Sequence, residues 1–392
     1  MITPPSFSCS ATAERGSAAA SPSFGILSTY PPTRCGLATF SAALADGLSQ
    51  PGSEVSVVRV ADRSSSTSPR VIGELVNDSP SSAAAASELL NRSDVAIVQH
   101  EYGIFGGTDG DDVVDVIGGL RVPSIVIAHT VLKHPTPHQR SVLETIAKMA
   151  DRIVVMSDAA SRRLCLGFDV DPAKVTTISH GAYVPPQLAA PVRQGRPTLL
   201  TWGLLGPGKG IERVIDAMAS LHDLPAKPRY LVAGRTHPKV LAAQGEAYRD
   251  ARIDQARRRG VGGSVVFDAD YRDVASLTRL AQSSEVVVLP YDSTDQVTSG
   301  VLVDAIATGR PVVATAFPHA VELLGSGAGV VVDHDDPDAL AEALRRVLTQ
   351  PDAAAAMAAE AARLAPAMAW PIVANAYLRL ARSLLSEQSA LV

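Results

Sequence analysis

The stretch from Glu285 to Thr315, EVVVLPYDSTDQVTSGVLVDAIATGRPVVAT, restricts the fold more than any other part of the chain. Its β-branched apolar run, Val286 to Leu289, predicts a buried strand that Pro290 closes. A polar loop follows from Tyr291 to Ser299. Gly300 then opens a helix whose apolar residues Val301, Leu302, Ala305 and Ile306 share one face. Gly309 ends that helix and Pro311 leads into a second strand, PVVAT. The order strand, loop, helix, strand is a parallel crossover, and its helix begins among small polar residues. An uncovered helix N-terminus offers N–H groups and a positive dipole end to a phosphate. On this stretch alone, a phosphate site and an ordinary βαβ crossover stand level.

The same alternation runs the length of the chain. FGILSTY (Phe24 to Tyr30) predicts a first strand, followed by the loop PPTRCG, a helix from about Ala38 to Leu48 and a strand over Val55 to Val60. Helix Ala83 to Leu90, strands Val95 to Val98 and Ser124 to Ala128, and helix Gln139 to Ala150 come next. Strand Arg152 to Met156, helix Asp158 to Leu166 and strand Lys174 to Ile178 complete the run. The Pro-, Gln-, Gly- and Ala-rich segment 187–197 interrupts it as a linker. It restarts with strand Thr198 to Trp202, helix Ile211 to Leu221, and strands Arg229 to Ala233 and Ser264 to Phe267. After the Glu285 stretch come strand Gly329 to Val332 and helix Asp336 to Thr349, then a last helix from Trp370 with Tyr377, Leu380 and Leu384 at helical spacing. Such alternation makes a parallel, doubly wound sheet, and its restart makes two. The expected domains are 24–186 and 198–367, with a tail helix over 368–392 and a Ser-, Ala- and Pro-rich disordered leader over 1–23.

A length of 392 residues suits two domains, and 46% hydrophobic against 19% charged residues supplies packed cores. A net charge of −5 with scattered Lys and Arg excludes the basic stripe of a nucleic-acid surface. No apolar run approaches the roughly 18 residues of a membrane span. The leader lacks the basic start and apolar core of a secretory signal. Cys9, Cys35 and Cys165 form no disulfide framework, which fits a reducing compartment. A cytoplasmic protein is expected.

Ligands of open parallel sheets bind beyond the carboxyl ends of the strands. That is where the unusual polar residues fall: Arg34, Gly36, His100, Glu101, His129 and His180 in the first half, and Lys209, Arg235, His237, Gln296, Ser299 and His319 in the second. Two facing domains would gather these loops along one cleft. GLLGPGKG, Gly203 to Gly210, allows close backbone approach, adds the cation of Lys209 and runs into a helix, a combination that suits a diphosphate. It is not a Walker A loop, because no Ser or Thr follows Lys209–Gly210 to hold magnesium. In HTVLKHPTPH, Pro135 and Pro137 break the helix that would present His134 and His138 together, and no carboxylate or Cys cluster completes a zinc site. No metal is expected, and Cys35 is read as a packing residue.

Taken in order, TYPPTRCGLATF, QHEYGIFGG, VIAHTVLKHP, ISHG, GLLGPGKGIE, DAIATGRPVVAT and the late MAW resemble the retaining family-4 glycosyltransferases of GT-B architecture. The resemblance covers the chain from about Phe24 to the last helix. It implies an α/β fold of two Rossmann-like domains facing across a cleft, with the tail helix crossing back onto the first. It implies a nucleotide-diphosphate sugar, GDP-mannose or UDP-glucose, held mainly by the second domain, and a saccharide or small hydroxyl acceptor on the first. No metal and no cofactor besides this donor are implied.

Carried over residue by residue, the family's diphosphate lysine is Lys209, its glycine loop near the donor phosphate is Gly36, and its sugar-contacting histidine is His129. Its two glutamates, eight positions apart, fall on Gln296, toward the transferred sugar, and Asp304, toward the nucleotide ribose. Its arginine ahead of the lysine loop is Leu204 here, and the three departures resemble a subgroup with a QVTSG pattern. Lys209, His129 and Gln296 are therefore the expected catalytic group. Gly36, Gly203, Lys209, Arg235, Gln296, Ser299, Gly300, Val301 and Asp304 are the expected donor contacts. Glu101, Tyr102 and Lys133 are expected on the acceptor side, with Glu101 standing equally as a structural hydrogen bond to its glycine loop. Two other readings compete: a degenerate sugar-nucleotide-binding scaffold, supported by Leu204 and Gln296, and a nucleotide-sugar epimerase on the same architecture.

Overall fold

The computed structural model describes residues 21–62, 64–185, 195–270 and 272–391. The leader through Ala20 and linker residues 187–194 therefore lie outside the described residues. The first sheet is built from β1 (Phe24–Ser28), β2 (Val55–Val60), β3 (Val71–Leu75), β4 (Val95–His100), β5 (Ser124–Ala128), β6 (Arg152–Val155) and β7 (Val175–Thr177). The second comprises β8 (Thr198–Trp202), β9 (Arg229–Ala233), β10 (Val265–Asp268), β11 (Val286–Leu289), β12 (Val312–Thr315) and β13 (Gly329–Val332). The strand orders are β3-β2-β1-β4-β5-β6-β7 and β10-β9-β8-β11-β12-β13, and the pairings are parallel. Both orders run outward from a central strand and then reverse, which is the doubly wound GT-B arrangement.

Alternation along each strand puts neighbouring residues on opposite faces. Leu27, Val58, Val98 and Val126 join one core, whereas Ile26, Val57, Ile97 and Ile125 join another on the reverse face. In the second sheet Leu199, Val232 and Val288 face one way, and Leu200, Leu231 and Val287 the other. Both faces of both sheets are covered, which is why the strands read as unbroken apolar runs. The last helix, Trp370–Leu391, supplies Val373, Tyr377 and Leu384 to the core of the first sheet. Arg152 forks onto its Glu387 at 2.7 and 2.8 Å. The chain passes between the sheets near Ala182 and again near Met368, and these passages hydrogen-bond each other: Ala182 N–H donates to Met368 O at 2.7 Å.

β3 was not expected from the sequence. It is an edge strand with alternately exposed residues, so its apolar signal is thin. Helices Pro238–Gln244 and Ala247–Arg258 were also missed. The first buries none of its residues and the second only Ala256, so neither carries an apolar stripe. Among the described residues no helix is long and apolar enough to cross a membrane.

Candidate active site

The strand order of the second sheet reverses between β8 and β11, and the loops leaving those two strands meet there. Gly203, Gly208 and Gly210 take positive φ, at 117°, 89° and 65°. At Gly210 a Cβ would collide with the Pro290 carbonyl oxygen, so only glycine lets the loop after β8 nest on the end of β11. Lys209, between two of these glycines, holds its Nζ 4.4 Å from the centre of the Tyr291 ring. It has no carboxylate partner among the described residues. Asp292, in the facing loop, is committed to Arg213 at 2.9 Å. Arg235 stands beside the same loop, its carbonyl accepting from Leu205 N–H at 2.8 Å, while its exposed guanidinium donates to Ala269 O after β10.

The helix Gly300–Ala307 starts at the end of the second loop. The Ser299 hydroxyl, placed by the sequence among the donor contacts, is buried and accepts from Leu302 N–H at 3.2 Å as the helix cap. That leaves the N–H groups of Gly300 and Val301 without an acceptor among the described residues. His319 shapes the turn before them: its backbone N–H donates to Gln296 O at 3.3 Å and its ring Nδ1 accepts from Ser299 N–H at 2.9 Å. Burial, with the His180 imidazole nearby, pushes the pKa of His319 down to about 4, so the ring is neutral and fit to accept. Gln296 donates its Nε2 to Thr298 O at 3.1 Å, leaving its side-chain oxygen open. One turn into the helix, half-buried Asp304 has no partner among the described residues, and burial pushes its carboxyl up to about 7. His319 was noticed in the sequence only as a polar residue after a strand; its two-ended clamp depends on a fold that no local pattern spells out.

On the first sheet, Gly36 opens the helix Gly36–Ser49 after β1, and a Cβ there would meet nothing within 4 Å. Cys35 is more than a packing residue: it is the helix cap, its Sγ accepting from Ala38 N–H at 3.4 Å and lying 3.3 Å from Thr29 Oγ1. His129, after β5, bonds through Nε2 to Gln99 Oε1 and packs edge-on against Phe40 at 5.0 Å. Burial, then the imidazoles of His180 and His100, pushes its pKa down to about 3. Because the Gln99 oxygen can only accept, His129 carries its proton on Nε2.

Glu101 Oε2 accepts from Gly103 N–H at 2.7 Å, the loop bond that was one of its two expected roles. The Tyr102 hydroxyl donates to Gln139 O at 3.2 Å, and burial raises its pKa to about 12. Lys133 lies 3.9 Å from the carboxylate of Asp295, so it faces the other half of the molecule. His138 sits between Asp109 and Asp111, at 3.1 and 3.4 Å. Among the described residues no group of three or more His, Cys, Asp or Glu could hold a metal ion.

The two halves touch at the site itself. His180 Nδ1 donates to Gly181 O at 2.7 Å, and its Nε2 would lie 2.8 Å from a Cβ at Gly300, so the ring rests against the start of that helix. Lys239 reaches from the second half to Gly103, where a Cβ would lie 3.4 Å from its Nζ and 3.0 Å from Glu101 Oε2. The arrangement sets a cation on the loop after β8 and, on the helix that follows β11, two N–H groups and a carboxyl without partners among the described residues, with neutral imidazoles opposite. Such a set can hold an anionic diphosphate at one end and hydroxyl groups at the other.

A family model described as Glycosyltransferase Family 4 matches residues 35–183, and one described as Glycosyl transferases group 1 matches residues 189–364. A D-inositol 3-phosphate glycosyltransferase of Kineococcus radiotolerans is 29% identical over 303 residues, 69% of this chain and 68% of that one. Others of the same name are matched over less than two thirds of their length. Sucrose-phosphate synthase of Thermosynechococcus elongatus superposes with a TM-score of 0.75 at 18% identity, covering 93% of this chain and 100% of that one. Anabaena Alr3699/HepE in complex with UDP superposes with a TM-score of 0.74 at 17% identity, covering 92% and 100%. These structures share the GT-B fold, and the paired family matches, one to each sheet, make this chain a family-4-like glycosyltransferase.

Proposed function

We propose that the protein transfers a hexose from a nucleotide-diphosphate sugar to a small hydroxyl acceptor in the cytoplasm, with retention and without a metal. The observation that carries this reading is the set of unengaged groups at the reversal of the second sheet: Lys209, the N–H groups of Gly300 and Val301, and Asp304. The diphosphate lies between Lys209 and the helix N-terminus, and the ribose hydroxyls donate to Asp304. Gln296 accepts from a sugar hydroxyl through its open oxygen, and His129 flanks the same sugar. The bond from the anomeric carbon to the β-phosphate oxygen breaks, and the acceptor oxygen bonds to that carbon on the same face. The acceptor proton passes to the departing phosphate oxygen. Lys209 and the two N–H groups stabilise the charge that develops on the leaving diphosphate. Relatives named for D-inositol 3-phosphate support a small polyol acceptor, and HepE bound to UDP and UDP-glucose supports a uridine donor.

The test is a thermal-shift panel of UDP, GDP, UDP-glucose and GDP-mannose with EDTA present. A binder at 100 times its dissociation constant adds about 2.7 kcal/mol of stability, a clear rise in Tm. One base should stabilise the protein, and Lys209→Ala should abolish the shift. Proton NMR of the product's anomeric signal then reads retention directly. No shift with any of the four would overturn the reading.

A further inference from the structure

Arg163 lies on the helix Asp158–Gly167 of the first half and was not singled out in the sequence. Its Nη1 donates to Val131 O at 3.0 Å and to Asp295 O at 2.5 Å. Val131 sits two residues after His129, and Asp295 directly precedes Gln296. One guanidinium therefore ties the loop carrying one sugar-facing side chain to the loop carrying the other, across the junction of the two halves.

The loop it grips is held from the first half at further points. Ser157 Oγ donates to Val297 O at 2.6 Å, and the Val297 side chain is buried in the core of the first sheet with Val131, Ala160 and Leu164. Glu322 returns the contact, its two carboxylate oxygens accepting from the N–H groups of Asp158 and Ala159 at 2.9 and 2.7 Å. The diphosphate groups, by contrast, hang on the second half: Lys209 on the loop after β8 and Asp304 on its own helix. The turn bearing Gln296 is thus held from the first half by Arg163, Ser157 and the packing of Val297 as well as from the second by His319, while Lys209 and Asp304 are carried by the second half.

We infer that Arg163 is a positioning residue for sugar transfer: it fixes Gln296 relative to His129 and acts on the transferred sugar while leaving nucleotide affinity alone. The inference rests on the donor-site reading above. The two hydrogens on this one guanidinium nitrogen serve the two backbone carbonyls, and a shorter neutral side chain cannot span both loops.

The experiment uses the full chain with UDP and GDP as binding probes, and UDP-glucose and GDP-mannose as donors. Turnover is followed as nucleoside diphosphate release with D-inositol 3-phosphate or water as acceptor. Arg163→Gln should bind the nucleoside diphosphate within twofold of the wild type yet show a kcat at least tenfold lower. Arg163→Lys should recover part of the loss, and exposed neighbour variant Arg162→Gln should match the wild type. A kcat for Arg163→Gln above half the wild-type value overturns the inference, as does a loss confined to nucleotide affinity, while the donor-site reading survives both. A wild type that binds neither UDP nor GDP overturns the donor-site reading and this inference with it. Should Arg163→Gln fail to fold, Arg163→Lys decides: a kcat below half that of the wild type with unchanged nucleotide affinity supports the role, and a wild-type kcat ends it.

Discussion

The second sheet repeats the order of the first six strands of the first, and each places a glycine-opened helix after its first strand, yet their polar groups are in different states. In the first half three are committed within the protein, His129 to Gln99, Glu101 to Gly103 and Tyr102 to Gln139, and the buried His100 ring, without a hydrogen-bond partner among the described residues, is held neutral by burial. Beside the first glycine loop, buried Arg59 binds Glu74 at 2.7 Å and Asp62, which in turn accepts from Thr33 at 2.6 Å. In the second half, among the described residues, Lys209 rests on an aromatic face without a carboxylate partner, Asp304 has no partner, and the N–H groups of Gly300 and Val301 have no acceptor. Unpaired groups of this kind are costly unless a ligand completes them. The lesson is a division of labour: the second half is poised for a charged ligand in the resting protein, and the first half must exchange bonds it already has.

That contrast is broken most directly at Lys209. Lys209→Ala removes a charge stabilising the leaving group, a loss of about 2.7–4 kcal/mol in comparable sites, so kcat should fall by two orders of magnitude or more with Tm unchanged. A steady-state assay beside a melting curve checks it. A rate within tenfold of the wild type would mean that the open cation is not where charge develops.

Asp304 sharpens the contrast through pH. Burial holds its carboxyl at about 7 in the folded protein, above the 3.8 of an ordinary aspartate. Between those values the folded state keeps a proton that the unfolded state has released, so the group's contribution to stability falls as pH rises from about 4 to 7. Asp304→Asn should remove that fall. Nucleotide affinity runs the other way: a ribose hydroxyl donates to the carboxylate, so wild-type affinity should rise as pH passes 7 and stay flat in the Asn variant. At pH 8 the variant should bind more weakly by about 1.5–3 kcal/mol, the size of a hydrogen bond to a charged group. Calorimetric titration from pH 5.5 to 8 reads both. The histidines have the opposite sign: His100, His129, His180 and His319 are all held below 6.5, so their stabilisation is complete above that pH and is lost as pH falls toward 4.

The glycines that open the two helices give the next comparison. Gly210 sits at φ 65° against Pro290, whereas Gly36 faces open space. Gly210→Ala should cost at least about 1–2 kcal/mol for the left-handed backbone alone, with the loop displaced by the added methyl group. Gly36→Ala should stay within about 0.5 kcal/mol. Urea melts of the two variants check the difference, and equal losses would show that both loops are nested alike.

Much of this was legible because strand, turn and helix each leave a local mark. Val55–Val60, Ser124–Ala128, Thr198–Trp202, Arg229–Ala233, Val286–Leu289 and Gly329–Val332 are strands with the bounds that their apolar runs gave. GLLGPGKG and the start of the Gly300 helix were recognisable because glycine and a helix N-terminus carry their chemistry in sequence. What escaped depends on partners far along the chain. Val297 lies in a polar loop with no strand or helix pattern to mark it, yet it is a core residue of the other half. Arg163 carries no motif that singles it out, and only the fold puts Val131 and Asp295 under its guanidinium. Cys35 hid its role because a thiol is an uncommon helix cap.

Glu101 offers the finest test, because one carboxylate has two possible uses. Its Oε2 already accepts from Gly103 N–H, and glutamine can keep that bond through its own side-chain oxygen. Glu101→Gln should therefore leave Tm and nucleotide affinity unchanged. If the other oxygen also meets the acceptor, loss of the charge should raise the acceptor KM about threefold, within the ~0.5–1.5 kcal/mol of an ordinary hydrogen bond. Glu101→Ala, which frees the glycine loop as well, should raise that KM further and lower Tm. Acceptor titrations of both variants at saturating donor separate the loop bond from the substrate bond. A tenfold loss of nucleotide affinity in Glu101→Gln would put this carboxylate on the donor, and the division of labour between the two halves would no longer hold.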